Sequence, residues 1–410
     1  MSFHSFLDIT DELLTETESY GFRRQSIIAS LEPPKKNVVL VKGLRGVGKT
    51  TAILQFLAEK REQGHNVLYL SADSTILEER TLLDYAKEFK TRGGGYLVFD
   101  EIHKYLGWER EVLDIINFYS NVKLIASGSS SLEIDDRLAD LSRRHIVVNA
   151  HGLSFGEWAS MEHGLPLGHY GYDELLESAE DIAFSINKTF KQSNLSIVNE
   201  FHRYLKEGYF PTRGNYPSYT LYRQSIAHTI NAVIDQDIPS RFLEITETSK
   251  HNLKRLLGNI ASRCPFIPHI SALKSALHIG DDKTVKRYLY MLNEGKILNN
   301  LYQPGVSYKS FPKPEKVYLE NTNFMYALQE NIDIGNLRET FATSMLSKVV
   351  SINAPKHGDL IVNGEEIFEI GGKTKTKKQI RNVDKAYVLN DDIDYANGSH
   401  LPLWLMGFLW

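Results

Sequence analysis

The 410-residue sequence holds a single cysteine, Cys264. One thiol makes no internal disulfide and fits a reducing cytosol. It stands in "SRCPF" with no C-x-x-C partner, which points away from zinc and redox chemistry. Long apolar runs are also missing. The terminal "LPLWLMGFLW" has only ten residues, too few to cross a bilayer, and reads as a packed final strand or helix. The start, "MSFHSFLDITDELL", carries acids early and lacks the basic-then-apolar order of an export signal. The expectation is a soluble, cytoplasmic protein with no membrane contact. Neither sign of charge dominates: 47 Lys and Arg face 51 Asp and Glu, net −4, so any nucleic-acid contact must be a local patch. The 14 histidines show no metal spacing, and no internal repeat, G-x-S-x-G or kinase signature is present.

What is there is a globular composition, 42% hydrophobic, long enough for two to four domains with ample core. The most informative stretch is "VVLVKGLRGVGKTT", residues 38–51. Val38 to Val41 has a strand's preferences, and "TAILQFLAEKREQG" follows with helical spacing and a stop at Gly64. Between them, Gly43, Gly46, Val47, Gly48, Lys49 and Thr50 fall within G-x-x-x-x-G-K-[ST], followed by Thr51. Strand, glycine loop and helix is the setting that motif needs. The glycines let several N–H groups converge on one phosphate beside a helix N-terminus. Lys49 is then expected along the β- and γ-phosphates, and the Thr50 hydroxyl at a Mg²⁺ position.

A second motif, "GGGYLVFDEIH" (93–103), is an apolar strand ending in Asp100-Glu101. An acid at the tip of a buried strand is costly unless it is paired or faces a cation. Asp100 is read as the Mg²⁺ partner and Glu101 as the group that polarises the attacking water. In "NVKLIASGSSS" (121–131), Ser127 or Ser129 is placed to sense the γ-phosphate, although serines after a strand also make plain turns. His103 reads as packing. Strands over 38–41, 66–71, 96–99, 122–127 and 145–148 alternate with helices, which implies a parallel sheet whose phosphate site lies at the strands' carboxyl ends.

Residues 1–32 read as an amphipathic helical arm closed by Pro33-Pro34. Segment 251–302 has three helical stretches and an extended end, the profile of a winged helix-turn-helix, with Asp281 or Asp282 capping a helix that Gly295 closes. Lys283, Lys286, Arg287 and Tyr290 on it face either a nucleic acid or solvent, and such modules also dock proteins. Residues 357–380 read as a hairpin turning at "NGEE", and 385–392 as a further strand. "KTKTKKQIRNVDK" (373–385) collects six basic residues with Asp384 its only acid. That patch suits a phosphate backbone or is a solvated face.

Together, "GLRGVGKTT", "LVFDEIH", Trp108 ahead of "KLIASGSSS", "LSFGEW" (153–158), "EGYFP" (207–211) and "DLIV…FEIGGK" resemble prokaryotic ATPases that join an AAA-type domain to a C-terminal domain called DUF4143. The resemblance covers nearly the whole chain. It implies an α/β fold: a P-loop core with a parallel sheet of the additional-strand type, a helical lid, a winged helix and a C-terminal α/β domain like the PD-(D/E)XK nucleases. The expected segments are 1–32 arm, 33–152 core, 153–235 lid, 236–305 winged helix and 306–410 nuclease-like domain. ATP and Mg²⁺ are the implied cofactors, DNA or a protein the implied partner, and no guanine-reading N-K-x-D stands at the expected place. The family's Gly-Arg after the sensor strand corresponds to Ser142-Arg143-Arg144, which favours Arg143 as a γ-phosphate contact.

A nuclease of that type needs acids on two strands and a Glu-x-Lys. Glu339, Asp359 and Glu369 supply acids in the expected order, but Gly371 stands where the lysine belongs and Lys373 follows. On a regular strand Lys373 shares a face with Glu369 but lies roughly 6.6 Å beyond the usual lysine. The domain therefore reads either as an active, ATP-gated nuclease or as a binding domain that has lost the chemistry.

Overall fold

Five runs rich in Val, Ile and Leu become the strands β1 (Val38–Lys42), β2 (Val67–Ser71), β3 (Gly95–Asp100), β4 (Val122–Gly128) and β5 (His145–Asn149). The computed structural model of the protein describes residues 3–74, 80–129, 141, 143–306, 311–380, 383 and 385–409. The strands form one sheet in the order β2-β3-β4-β1-β5, and every ladder in it is parallel. All carboxyl ends therefore lie along one edge. β4 is inserted between the strand that feeds the glycine loop and the strand that ends at Asp100. The central strands read as continuous apolar runs because both faces are covered. Val39, Val41, Leu97, Val98, Phe99, Leu124 and Ile125 are fully buried.

Helices α1 (Phe3–Glu18), α2 (Gln25–Ile28), α3 (Lys49–Glu62), α4 (Leu82–Thr91) and α5 (Trp108–Phe118) accompany this sheet. Phe3, Phe6, Thr10, Leu14 and Thr17 recur at helical spacing and form the buried stripe of α1. Phe6 meets Tyr85 edge to face, with ring centroids 5.2 Å apart. The Thr10 hydroxyl donates to the Phe6 carbonyl at 2.7 Å and accepts the Tyr69 N–H at 3.1 Å. That side chain satisfies an amide on the edge strand β2 that no neighbouring strand reaches.

The chain divides into two compact units, Met1–His151 and Gly152–Trp410. The second opens with helices, among them Phe155–His163, Ala179–Gln192, Ile197–Glu207 and Tyr219–Ala232. Phe155 sits at the centre of an aromatic cluster with Trp158, Phe190, Phe201, Tyr204 and Phe408. Next come the helices Glu247–Ala261, Ile270–Leu277 and Asp282–Glu294, the last capped by Asp281, whose carboxylate accepts the Thr284 N–H at 2.8 Å. They lead into an antiparallel pair, β6 (Leu298–Leu301) and β7 (Lys316–Leu319). That ladder crosses residue 305, where the sequence pattern ends its fourth segment, because the partner of β6 lies beyond the intervening loop.

A second sheet runs β12-β11-β10-β9-β8, built from β8 (Ile352–Asn353), β9 (Leu360–Val362), β10 (Glu366–Gly371), β11 (Ala386–Asn390) and β12 (His400–Pro402). β9 and β10 form the expected hairpin. Asn363 and Gly364 both have positive φ, 50° and 76°, and the Glu365 N–H donates to the Val362 carbonyl at 3.0 Å. This is the turn that Asn-Gly favours. After β12 the chain ends in a buried 3₁₀ helix, Leu403–Phe408. No helix among the described residues is long and apolar enough to cross a membrane.

Thr10→Val keeps the shape of its side chain but strands the Tyr69 amide. Chemical denaturation should show a loss of about 1–3 kcal/mol, whereas an unchanged midpoint would mean that the edge needs no such partner.

Candidate active site

β1 delivers the chain to the glycine loop at the carboxyl edge of the first sheet. Gly43 is required by contact: a Cβ there would lie 2.0 Å from the Ala150 carbonyl oxygen. Gly46 and Gly48 adopt φ of 80° and 92°, in the left-handed region that favours glycine. Gly48 is also the N-cap of α3 and brings no side-chain cap. The first-turn amides of α3, which include those of Thr50 and Thr51, thus face the loop without a capping side chain, and an anion is the natural partner. The Lys49 side chain is buried, with Nζ 3.0 Å from the Gly43 carbonyl and 3.1 Å from that of Leu44. Its charge is folded over the mouth of the loop.

Asp100, 3% exposed, ends β3 opposite this loop. Its Oδ2 accepts the Thr50 hydroxyl at 2.7 Å and the Tyr69 hydroxyl at 2.5 Å. Its Oδ1 accepts the Glu101 N–H at 3.1 Å and the Ser127 hydroxyl. Burial, then the Asp100 charge, pushes the Tyr69 phenol far above its usual range, so it remains a donor. Thr50 and Asp100 bring hard oxygen donors together beside the loop, a chemistry that fits Mg²⁺. Glu101 adopts φ 52°, ψ 36°, a strained setting costing of order 1–3 kcal/mol. Its Oε2 is buried and has no hydrogen-bond partner among the described residues; His103 Nε2 lies 3.5 Å away, within ion-pair distance. Ser129, just past β4, is buried.

Arg143 is not brought to this edge. It precedes His145, which pairs with Val38 at the amino-terminal ends of the strands, whereas the glycine loop follows Lys42 at the other end. Arg143 is exposed there. The expected contact with this chain's own γ-phosphate is therefore corrected: a five-residue strand, roughly 16 Å, separates the two. Ser142 lies outside the described residues. Tyr69 was invisible in the sequence, because within "VLYLS" it reads as a core position. Only the pairing of β2 with β3, Ser71 against Asp100, brings it to the acid.

In the second unit, the helix Ile334–Leu346 packs on β10 and carries Glu339. Glu339 accepts the Tyr318 hydroxyl at 2.8 Å and lies 3.4 Å from Lys316 Nζ. Asp359 accepts the Ile370 N–H at 2.7 Å. Glu369 is fully buried, with Lys375 Nζ 2.7 Å away. The lysine at Glu369 is thus Lys375 and not Lys373. β10 stops at Gly371, and Lys373 points outward in the turn that follows. A Cβ on Gly371 would lie 2.7–2.8 Å from the Lys375 stem, so the bare glycine lets that stem fold back across the strand end. Burial pulls the Lys375 ammonium down, but Glu369 and then Asp359 and Glu339 hold it above its usual range. Glu339 and Asp359 each accept a protein donor, whereas buried Glu369 meets the Lys375 ammonium at Oε1 and keeps an Oε2 without a hydrogen-bond partner among the described residues; the three do not converge as a metal cluster. Among the described residues, the one set of three such groups with ligand atoms within 4.8 Å is His202, Asp391 and Asp392.

That set is already compensated. Arg338 Nε lies 2.8 Å from Asp391 and its Nη2 3.2 Å from Asp392, and His202 Nε2 lies 3.2 Å from Asp391. On the capped helix, Arg287 pairs with Glu244, and Tyr290 accepts from Arg241 at 3.3 Å. Of the four outward residues expected there, Lys283 is exposed and Lys286 half-buried. Arg381, Asn382 and Asp384 of the basic stretch lie outside the described residues.

The hydrogen bond to Asp391 raises the His202 pKa above its ordinary 6.5. Against the upward push of burial, His202 and Arg338 hold Asp391 below 3.8. The histidine's contribution to stability is full below pH 6.5 and lost as pH rises through the raised value. NMR titration should place His202 above 6.5, with a fall in unfolding midpoint over that range that His202→Gln flattens. A value at or below 6.5 contradicts the pairing.

Residues 35–159 match the family model of an AAA domain. An uncharacterized protein of Methanocaldococcus jannaschii is 27% identical over 204 residues, which cover 47% of this chain. The chain spans 42% of the length of that curated relative. Among solved structures, a replication initiator DnaA bound to AMPPCP and single-stranded DNA is 16% identical, covering 70% of this chain and 87% of its own, with a TM-score of 0.29. A STAND-type signal transduction ATPase with a tetratricopeptide repeat sensor from Pyrococcus horikoshii is 13% identical, covering 80% and 46%, also at 0.29. These TM-scores are too low to carry an argument about fold or activity. The family match stands on the same residues as the glycine loop, the inserted strand and the Asp100-Glu101 tip, and the first unit is accordingly an AAA-type P-loop ATPase domain with an ATP-binding site.

Proposed function

We propose that the first unit hydrolyses ATP with Mg²⁺. The observation that carries this is the division of labour between two adjacent acids. Asp100 is held by Thr50, Tyr69, Ser127 and the Glu101 amide, whereas Glu101 keeps a buried carboxylate oxygen without a hydrogen-bond partner. In this reading Lys49 and the amides of Gly46, Val47, Gly48, Thr50 and Thr51 hold the phosphates, and Thr50 and Asp100 hold the metal. Glu101 accepts the proton of the attacking water. Mg²⁺, when bound, supplies charge neutralisation on the β- and γ-phosphates. Ser127 acts through Asp100 and Glu101, which keeps it close enough to report γ-phosphate occupancy. Glu101→Gln should retain ATP binding while steady-state hydrolysis falls by about 100-fold or more. Hydrolysis at the native rate would move the base elsewhere.

The second unit serves, in this reading, as the cytoplasmic effector whose docking the nucleotide state controls. The three helices and the β6–β7 pair support a winged helix, and the helix–sheet arrangement around Glu339, Asp359 and Glu369 supports a DUF4143-type, nuclease-like domain. The donors to Glu339 and Asp359, the Lys375 ammonium at Glu369 and the lack of convergence of the three acids favour binding over cutting. Nucleic acid is the favoured partner on one observation. A cleft of about 900 Å³ is lined by Lys316, Lys356, His357 and Lys378 against one acid, Glu315, with aliphatic side chains that include Ile361 and Ile367. Lys378 opens it onto the basic stretch. Oligonucleotide binding followed by fluorescence anisotropy should weaken about tenfold or more in a Lys356→Glu, Lys378→Glu double variant, with a shallower salt dependence. Unchanged binding would shift the contact to Lys283 and Lys286, and no binding would leave a protein as the partner.

A further inference from the structure

Arg24 lies between the two helices of the N-terminal arm and is 7% exposed. Nothing in the phosphate-loop chemistry calls for it. Its Nη1 donates to the Val47 carbonyl at 2.7 Å and to the His151 carbonyl at 2.8 Å. A guanidinium Nη1 carries two hydrogens, so both are directed at main-chain oxygens. One acceptor is the middle of the glycine loop. The other is the last residue of the first unit. Neighbouring contacts keep the segment in place. The Gln55 side chain on α3 donates to the Phe22 carbonyl at 2.8 Å, and Arg23 pairs with Glu59 at 2.8 Å. On the far side of the loop the β5 exit is equally close: the Ala150 N–H donates to the Lys42 carbonyl at 2.8 Å, and Gly43 has no room for a Cβ against Ala150.

The stereochemistry of one peptide unit gives this contact a consequence. A trans peptide holds its C=O and the next N–H on opposite sides of the chain. Pinning the Val47 carbonyl outward, on Arg24, turns the Gly48 N–H inward, toward the phosphates. Gly48, at φ 92°, tolerates that orientation. We propose that Arg24 is a positioning residue for the phosphate loop, and that through its second hydrogen it couples nucleotide occupancy to the backbone at His151, where the chain leaves the ATPase unit. This inference rests on the ATP-binding reading and adds a regulatory path to it.

The test uses the full chain. Arg24→Gln removes the charge and the fork, and Arg24→Lys restores a donor. With fluorescent ATP and ADP analogues, Arg24→Gln should raise Kd about tenfold while kcat at saturating ATP stays within about threefold, and Arg24→Lys should recover part of the affinity. Hydrogen–deuterium exchange supplies the second readout. Nucleotide should slow exchange in a peptide covering 148–152 of the wild-type chain, and that response should vanish in Arg24→Gln even at saturating nucleotide. A folded Arg24→Gln protein that binds nucleotide within twofold of wild type overturns the positioning role. A wild-type 148–152 peptide indifferent to nucleotide overturns the coupling, and this arm stands if the variant does not fold. Failure of the wild-type chain to bind ATP would instead sink the reading beneath, so the two failures are distinguishable.

Discussion

One buried carboxylate joins four separate pieces of the ATPase unit. Asp100 receives Thr50 from the first turn of α3, Tyr69 from β2, Ser127 from β4 and the amide of its own neighbour Glu101. A carboxylate taken from water must be met by donors or a cation, and here the donors come from α3, β2, β4 and the residue that follows the acid. The strand order makes this feasible. With β4 inserted between β1 and β3, the hydroxyl of Ser127 lies beside Asp100 while the glycine loop lies one strand further on.

What the sequence made legible follows from how local each feature is. The glycine loop, its lysine and its threonine occupy eight consecutive positions, so strand, loop and helix can be recognised without knowing what they touch. The acids of β3 are legible for a related reason: a charged pair at the end of an apolar run needs an explanation wherever the strand goes. Tyr69 and Arg24 were not legible, because each acts through a partner distant in sequence and each has an ordinary alternative role, in a core strand or on an arm. Arg143 shows a different limit. A resemblance supplies its place along the chain, but the parallel register decides at which end of the sheet it lies, and that end is the wrong one.

The second unit teaches the same lesson about period. Extending the alternation of β10 beyond Glu369 put Lys373 on the acid's face, yet the strand ends at Gly371 and the alternation ends with it. The hairpin was legible because Asn363-Gly364 writes its turn type into two residues. The β6–β7 pair was not, because the loop between its strands hides that they belong together. Glu339, Asp359 and Glu369 were found as acids in the right order, but order carries no information on whether each is left open or already engaged.

The placement of Lys375 on a turn has a consequence for how Glu369 is governed. A lysine built into a strand is fixed by the ladder and leaves only if the sheet comes apart. Lys375 is carried by a short loop, anchored through its own backbone to Gly372 and Asn390, and lies over a strand end that has no side chain to obstruct it. Its ammonium can therefore withdraw while β10 and β11 stay paired. The acid left behind is buried, and another cation or donor must then meet it. Charge neutralisation at Glu369 is in this sense a removable part of the fold, set by the conformation of four residues and not by the sheet.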